Sequence, residues 1–203
     1  MTLTNVNGHH PTGAEARSSS RPAAADASTA AHTGSDHAAT VRRGVSCSGA
    51  AAGAGANLAL AHDVVIATES AFFMQAFSRI GLIPDAGGTW ALPRQMGLAK
   101  AMGAALFADR ISARQADDWG MIWEAVPDAE FAAHWRARAS YLASGPSKAF
   151  GAIKQALRQS TNNSLPDQLS LEAHLQGELG RSRDFMEGVT AFVDKRKPDF
   201  EGR

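Results

Sequence analysis

The chain has 203 residues and 20 Lys plus Arg against 20 Asp plus Glu, with a pI near 7.1. That balance excludes a strongly basic, phosphate-neutralising surface, and so excludes nucleic acid as the expected partner. A single cysteine, Cys47, excludes an internal disulfide framework and all-cysteine zinc sites. No apolar run approaches the ~18 residues of a membrane span, and TLTNVNGHH after Met1 does not read as a secretory leader, so a cytoplasmic protein that makes no membrane contact is expected.

The averages hide a division. Every Phe, Tyr and Trp lies at or after Phe72. Residues 1–47 are mostly Ala, Ser, Thr, Gly and His, with no helical or strand period, and are expected to be disordered or aberrant sequence. His9, His10, His32 and His37 lie there at spacings that match no common zinc pattern, so no metal site is expected. Residues 48–126 read as a partial α/β core. GAAAGAGANLALAH (Gly49–His62) is a Gly-rich turn that becomes helix-forming, and VVIAT (Val64–Thr68) and FFM (Phe72–Met74) are strand-like. Gly81–Pro93 reads as a loop and Leu98–Ala108 as a helix. Ser112 caps a short helix that Gly120 stops, and Ile122–Val126 is a strand candidate. Residues 127–203 read as helical. Pro127 opens one helix, Ser147 caps the next, Pro166 opens a third and Ser182 caps a fourth. In the fourth, Phe185, Val189, Phe192 and Val193 form one apolar stripe that needs something to pack on.

Two segments carry chemistry. Gly53-Ala54-Gly55 opens a helix, where free N–H groups and the positive end of the helix dipole can hold a phosphate or an oxyanion. The same residues also suit a turn that merely lets the helix pack closely. Pro84-Asp85-Ala86-Gly87-Gly88-Thr89 places a carboxylate in a turn. Asp85 is either a turn former or a general base made usable by the apolar Phe72, Phe73, Phe77, Ile80, Leu82 and Trp90 around it.

The stretch GAAAGAGANLALAHDVVIATESAFFMQAFSRIGLIPDAGGTWALPRQMGLAKAMG, with DRISARQADDWGMIWEAV and EGVTAFVDKRKPDFEGR after it, resembles the crotonase, or enoyl-CoA hydratase/isomerase, family. PDAGGTW and DWGMIW are most similar to members that rearrange the ring epoxide of phenylacetyl-CoA in phenylacetate degradation. The resemblance implies a crotonase-like α/β fold, a ββα superhelix missing its N-terminal part, with a C-terminal helical trimerisation region. It implies an acyl-CoA thioester as substrate, no separate cofactor beyond the coenzyme A the substrate carries, and a homotrimer or dimer of trimers. It makes the Ala54 N–H an oxyanion donor, with Gly53 and Gly55 beside it, and Asp85 the acid/base. The two glutamates with which hydratases of the family add water align with Asn57 and Phe77, which are expected to line the substrate site in their place with Gly53 and Gly55, so water addition by that route is not expected. Trp90, with Trp119 and Trp123, lines an aromatic acyl pocket or belongs to the core, and Lys195, with Arg196 and Lys197, touches CoA phosphates or is a solvated helix end.

The family's strands before the Gly-rich turn, with its second oxyanion donor, have no counterpart in residues 1–47. Losing one donor costs about 3 kcal/mol in the transition state. Three readings therefore stand: an isomerase of the aromatic epoxide; a Δ3-Δ2-enoyl-CoA isomerase or enoyl-CoA hydratase; and an inactive remnant of the fold.

Overall fold

The computed structural model describes residues 44–203. The chain begins with two short strands, β1 (Gly44–Cys47) and β2 (Ala50–Ala52), followed by α1 (Ala54–Leu60). The same pattern repeats with β3 (Val64–Thr68) and β4 (Phe72–Met74), then a 3-10 turn at Ala76–Ile80 and α2 (Gly88–Phe107). In each repeat the first strand joins one sheet and the second joins another. β1 pairs parallel with β3, Gly44 opposite Val64, and β2 pairs parallel with β4, Ala50 opposite Phe72. Parallel neighbours need a crossover of a dozen or more residues, and α1 supplies it for both sheets at once.

β5 (Ile111–Ser112) runs antiparallel to β4. After α3 (Ala113–Asp118), β6 (Glu124–Val126) pairs parallel with β3. The result is two three-stranded sheets, β1-β3-β6 and β2-β4-β5. Their shared core contains Leu60, Val65, Phe73, Leu92, Met96, Ile111 and Met121, with alanines at 51, 56, 67, 101, 104, 113 and 116 letting helices approach closely. Cys47 is half-buried against this core, and burial pushes its thiol above the ordinary range.

Four helices complete the chain: α4 (Asp128–Ala143), α5 (Ser147–Ser160), α6 (Leu165–Leu179) and α7 (Arg183–Val193). The carboxylate of Asp63, just before β3, reaches α5 through Lys154 Nζ at 2.6 Å and Arg158 Nη2 at 2.6 Å. After α7 the tail folds back. The Asp184 carboxylate, 5 % exposed, accepts the N–H groups of Glu201 at 2.8 Å and Gly202 at 3.0 Å, while Asp184 N–H donates to the Arg203 carbonyl at 2.9 Å.

Several sequence expectations change. The stretch ending at Cys47, expected to lie outside the core, supplies β1: Gly44–Cys47 forms a strand because β3 offers it a parallel partner, although its own residues carry a weak strand signal. The expected metal-free histidine segment and the rest of 1–43 lie outside the described residues. The loop expected over Gly81–Pro93 ends at Gly87, because Gly88 starts α2 with Pro93 inside it and a break at Gly97, whose φ is 77°. Ser112 does cap α3, in a reciprocal box with Gln115, and Ser182 caps α7. Ser147 does not cap its helix. Pro146 occupies that position, without a side-chain bond, and Ser147 is the first helical residue.

Candidate active site

The Gly-rich turn is built by backbone geometry. Gly53 has φ 56° and ψ −131°, a conformation closed to residues with a side chain, and its N–H donates to the Met74 carbonyl at 2.9 Å. Its carbonyl accepts from Ala56 and Asn57, so the chain bends directly from β2 into α1. The Phe77 ring packs 3.8 Å from where a Gly53 Cβ would stand. Ala54 and Gly55 are exposed, and as first-turn residues their N–H groups have no acceptor within the helix.

The turn that carries Asp85 is unusual in its backbone. Ala86 has φ 47° and Gly87 φ 82°, two successive left-handed residues, and for Ala86 that conformation costs on the order of 1–3 kcal/mol. The Asp85 carbonyl accepts the Gly88 N–H at 2.8 Å and also the Asn57 Nδ2 at 2.8 Å. Asn57 is 3 % exposed, and its Oδ1 accepts Gln75 Nε2 at 2.8 Å. A Cβ added at Gly88 would overlap Nδ2 of that amide and lie 2.7 Å from its Cγ, so a glycine is required for the close approach. The structure thus joins the turns at Gly53–Gly55 and Pro84–Gly88 through one buried side chain.

The structure brings Gly53, Ala54, Gly55, Asn57, Phe77 and Asp85 into one neighbourhood. Asn57 and Phe77 are buried: Asn57 is turned inward onto Gln75 and Asp85, and Phe77 is packed beside Gly53. The expected apolar enclosure of Asp85 is not formed by this chain. Asp85 is exposed, and Ile80, Leu82 and Trp90 around its loop are exposed as well, because the turn projects from the core. Trp90 stands in the first turn of α2 at 58 % exposure, with the Arg94 guanidinium 4.1 Å over its ring. Trp119 packs against the core with Lys100 Nζ 4.4 Å from its ring centre, and Trp123 is exposed.

Lys195 is exposed with φ 55° just after α7. Its neighbour Arg196 is not a free basic group. It binds Glu187 with Nη1 at 2.6 Å and Nη2 at 2.9 Å, and Asp199 N–H donates to the same carboxylate at 2.8 Å. The hydrogen bonds from Arg196 and from the Asp199 N–H hold the Glu187 carboxyl down at about 2. Gln75, 1 % exposed, is the residue that the sequence did not single out. Its only signal was an amide directly after the apolar run Phe72-Phe73-Met74.

A cavity of about 420 Å³ lies elsewhere, among α5, α6, α7 and the tail, lined by Leu179, Phe185, Val189, Phe192 and Phe200. Among the described residues no group of His, Cys, Asp and Glu is arranged to hold a metal ion, and no helix is long and apolar enough to cross a membrane.

Two ββα turns feeding two sheets, with a Gly-rich turn at the head of the crossover helix, define a crotonase-like α/β fold. Residues 45–203 match the family model described as Enoyl-CoA hydratase/isomerase, and the chain belongs to that family. It is 68 % identical over 155 residues to a probable enoyl-CoA hydratase of Rhodobacter capsulatus, covering 76 % of this chain and 60 % of that protein. It is 52 % identical over 155 residues to the 1,2-epoxyphenylacetyl-CoA isomerase of Escherichia coli, covering 76 % of this chain and 59 % of that protein. The crystal structure of a putative enoyl-CoA hydratase/isomerase from Mycobacterium abscessus superposes with a TM-score of 0.73 at 41 % identity, over 76 % of this chain and 60 % of that one. The chain therefore spans about three fifths of the length of these relatives.

Proposed function

We propose that this chain takes part in isomerising an acyl-CoA thioester, with Asp85 as the acid/base and the Ala54 N–H as an oxyanion donor, and that its substrate is the ring epoxide of phenylacetyl-CoA. The observation that carries this reading is the tie from Asn57 Nδ2 to the Asp85 carbonyl at 2.8 Å. It keeps the turn bearing the acid beside the helix whose first turn bears the N–H donors.

In the proposed step the Asp85 carboxylate removes a proton next to the thioester carbonyl. The electron pair moves onto the carbonyl oxygen, which the Ala54 N–H stabilises, and the proton returns at a different carbon. In the aromatic epoxide the carbon–carbon bond inside the three-membered ring opens to give the seven-membered oxepin, so composition is unchanged. Trp90 and the exposed Leu82 contribute to the surface that receives the acyl group, and Lys195 lies toward the phosphates of CoA. The reaction needs no cofactor beyond the CoA that the substrate carries. The assembly is a homotrimer, or a dimer of trimers, in the cytoplasm.

A buried amide and a hydrocarbon ring stand at Asn57 and Phe77, positions that align with the carboxylates hydratases of the family use, and this supports isomerisation over hydration. The name of the Rhodobacter capsulatus relative favours the second reading, an enoyl-CoA hydratase. Product masses separate the two. Isomerisation of the aromatic epoxide or of a 3-enoyl-CoA leaves the mass unchanged, whereas hydration of a 2-enoyl-CoA adds one water. Asp85→Asn is expected to lower turnover by about 10²–10⁴-fold while thioester binding persists. Undiminished turnover in that variant overturns the role of Asp85, and no turnover of any thioester by the parent chain overturns the activity.

A further inference from the structure

We infer that Asn57 and Gln75 together are a positioning device for Asp85: a buried amide pair that holds the acid-bearing turn in its left-handed form against the helix that carries Ala54. The inference rests on the isomerase reading for its consequence but not for its geometry.

The two amides can be oriented in only one satisfactory way. The Asp85 carbonyl has only lone pairs to offer and already accepts the Gly88 N–H, so the Asn57 end facing it must be the NH₂. That leaves Asn57 Oδ1 pointing at Gln75, which must answer with its own NH₂, as observed at 2.8 Å. Gln75 Oε1 is then left buried with no partner. An orphaned buried acceptor is costly, and it persists here because every alternative orientation sets two acceptors against each other at Asn57 or at Asp85.

The consequence concerns the backbone. Ala86 and Gly87 both adopt positive φ, which is free for the glycine but which Ala86 keeps only while its surroundings hold it. Asn57 Nδ2 is the side-chain donor on the Asp85 carbonyl, at the entrance to those two residues. The Gly88 Cα closes over the amide so tightly that any side chain there would displace it. Asn57 also lies one helical turn after Ala54, so a single rigid helix fixes both the acid-bearing turn and the N–H donor. Asn57 thus acts through Asp85 and need not contact substrate.

The test uses the full chain and two variants that attack the clamp from opposite sides. Asn57→Asp keeps the side-chain shape but replaces the donor facing the Asp85 carbonyl with an acceptor. Gly88→Ala leaves Asn57 in place and pushes its amide away. Hydrogen exchange of the residue-88 N–H, which bonds the same Asp85 carbonyl and is expressed relative to the intrinsic rate of glycine or alanine there, reads the turn without reference to activity. Each variant is expected to speed that exchange about tenfold or more relative to amides of β3, and to lower kcat about tenfold or more with KM within about threefold. Gln75→Met, which removes only the outer amide, is expected to act in the same direction with a smaller effect, and it serves if either stronger variant does not fold.

Exchange at residue 88 unchanged in the variants that fold overturns the clamp. Faster exchange with unchanged kcat, in a chain where Asp85→Asn is inactive, overturns its role in positioning. Faster exchange in a chain where Asp85→Asn is fully active supports the clamp and rejects the isomerase reading instead.

Discussion

Between Gly44 and Val126 the side chains of Phe73, Leu92 and Met121 are almost fully enclosed, and sixteen residues of that span form one continuous buried cluster. Between Asp128 and Arg203 burial is sparse: α5 encloses no residue completely, α6 only Leu175, and α7 only Asp184 and Ala191. The first region is held by apolar area and close packing, the second by polar links at chosen points. Those links include Asp63 to Lys154 and Arg158, Asp184 to the tail, and Glu187 to Arg196 and Asp199. The stripe Phe185, Val189, Phe192 and Val193 remains at the surface of the chain. A region with a continuous buried core can position a site by packing, whereas α5, α6 and α7 enclose too few residues to do so.

Mutations in the two regions sharpen this contrast. Phe73→Ala, in the strand between β2 and β5, is expected to destabilise the chain by about 3–5 kcal/mol, read from the urea midpoint. A loss below about 1 kcal/mol in that titration would show that the described core is not the stabilising one.

In the second region the largest effect is expected from Asp184→Ala, which leaves the Glu201 and Gly202 N–H groups without their carboxylate. The cost is about 1.5–3 kcal/mol, confined to tail docking. Limited proteolysis at Phe200 checks it: faster cleavage there with unchanged protection of β3 and β4 is the expected pattern.

Acid should release the same tail in a defined order. The Glu187 carboxyl is held down at about 2 from an ordinary value near 4.5. Because its folded value is the lower one, its contribution is complete above about pH 4.5 and is lost as pH falls through about 2. The Asp199 amide, bonded to that carboxylate, is therefore expected to keep its NMR shift at pH 4 and to move only below it. Movement centred near pH 4.5 would contradict the pairing.

The smallest effect on the chain alone is expected from Phe192→Ser, since Phe192 is 86 % exposed. Its unfolding free energy should change by no more than about 0.5 kcal/mol. Sedimentation velocity at several concentrations is the sensitive measurement: self-association through α7 is expected to weaken, and an unchanged distribution would place that face outside any contact between copies.

Several helix boundaries were legible because their signals are local. Ser112 and Ser182 cap where a short polar side chain precedes a helical run, and Gly120 ends α3 through its positive φ of 73°. Val64–Thr68 and Phe72–Met74 were strands on composition, and they are strands in the structure. Gly44–Cys47 was not legible, since its strand form comes from pairing with β3, twenty residues away. Nor was the start of α2 at Gly88, because a Gly-Gly-Thr-Trp run that reads as a turn becomes helix once Gly88 is pressed against Asn57.

The sequence by itself determined the family, the Gly-rich turn, an aspartate at position 85 in a Pro-Asp-Ala-Gly-Gly run, and an amide and a phenyl ring at Asn57 and Phe77. These are matters of residue type and order. Only the tertiary structure decided that Asn57 faces inward, that the Asp85 carbonyl orients its amide and Gln75 meets its oxygen, that Asp85 stands exposed beside a left-handed pair, and that Arg196 belongs to Glu187. Each of those depends on a contact between residues at least nine positions apart, and the direction in which an amide or a guanidinium points is set by the partner that folding brings to it.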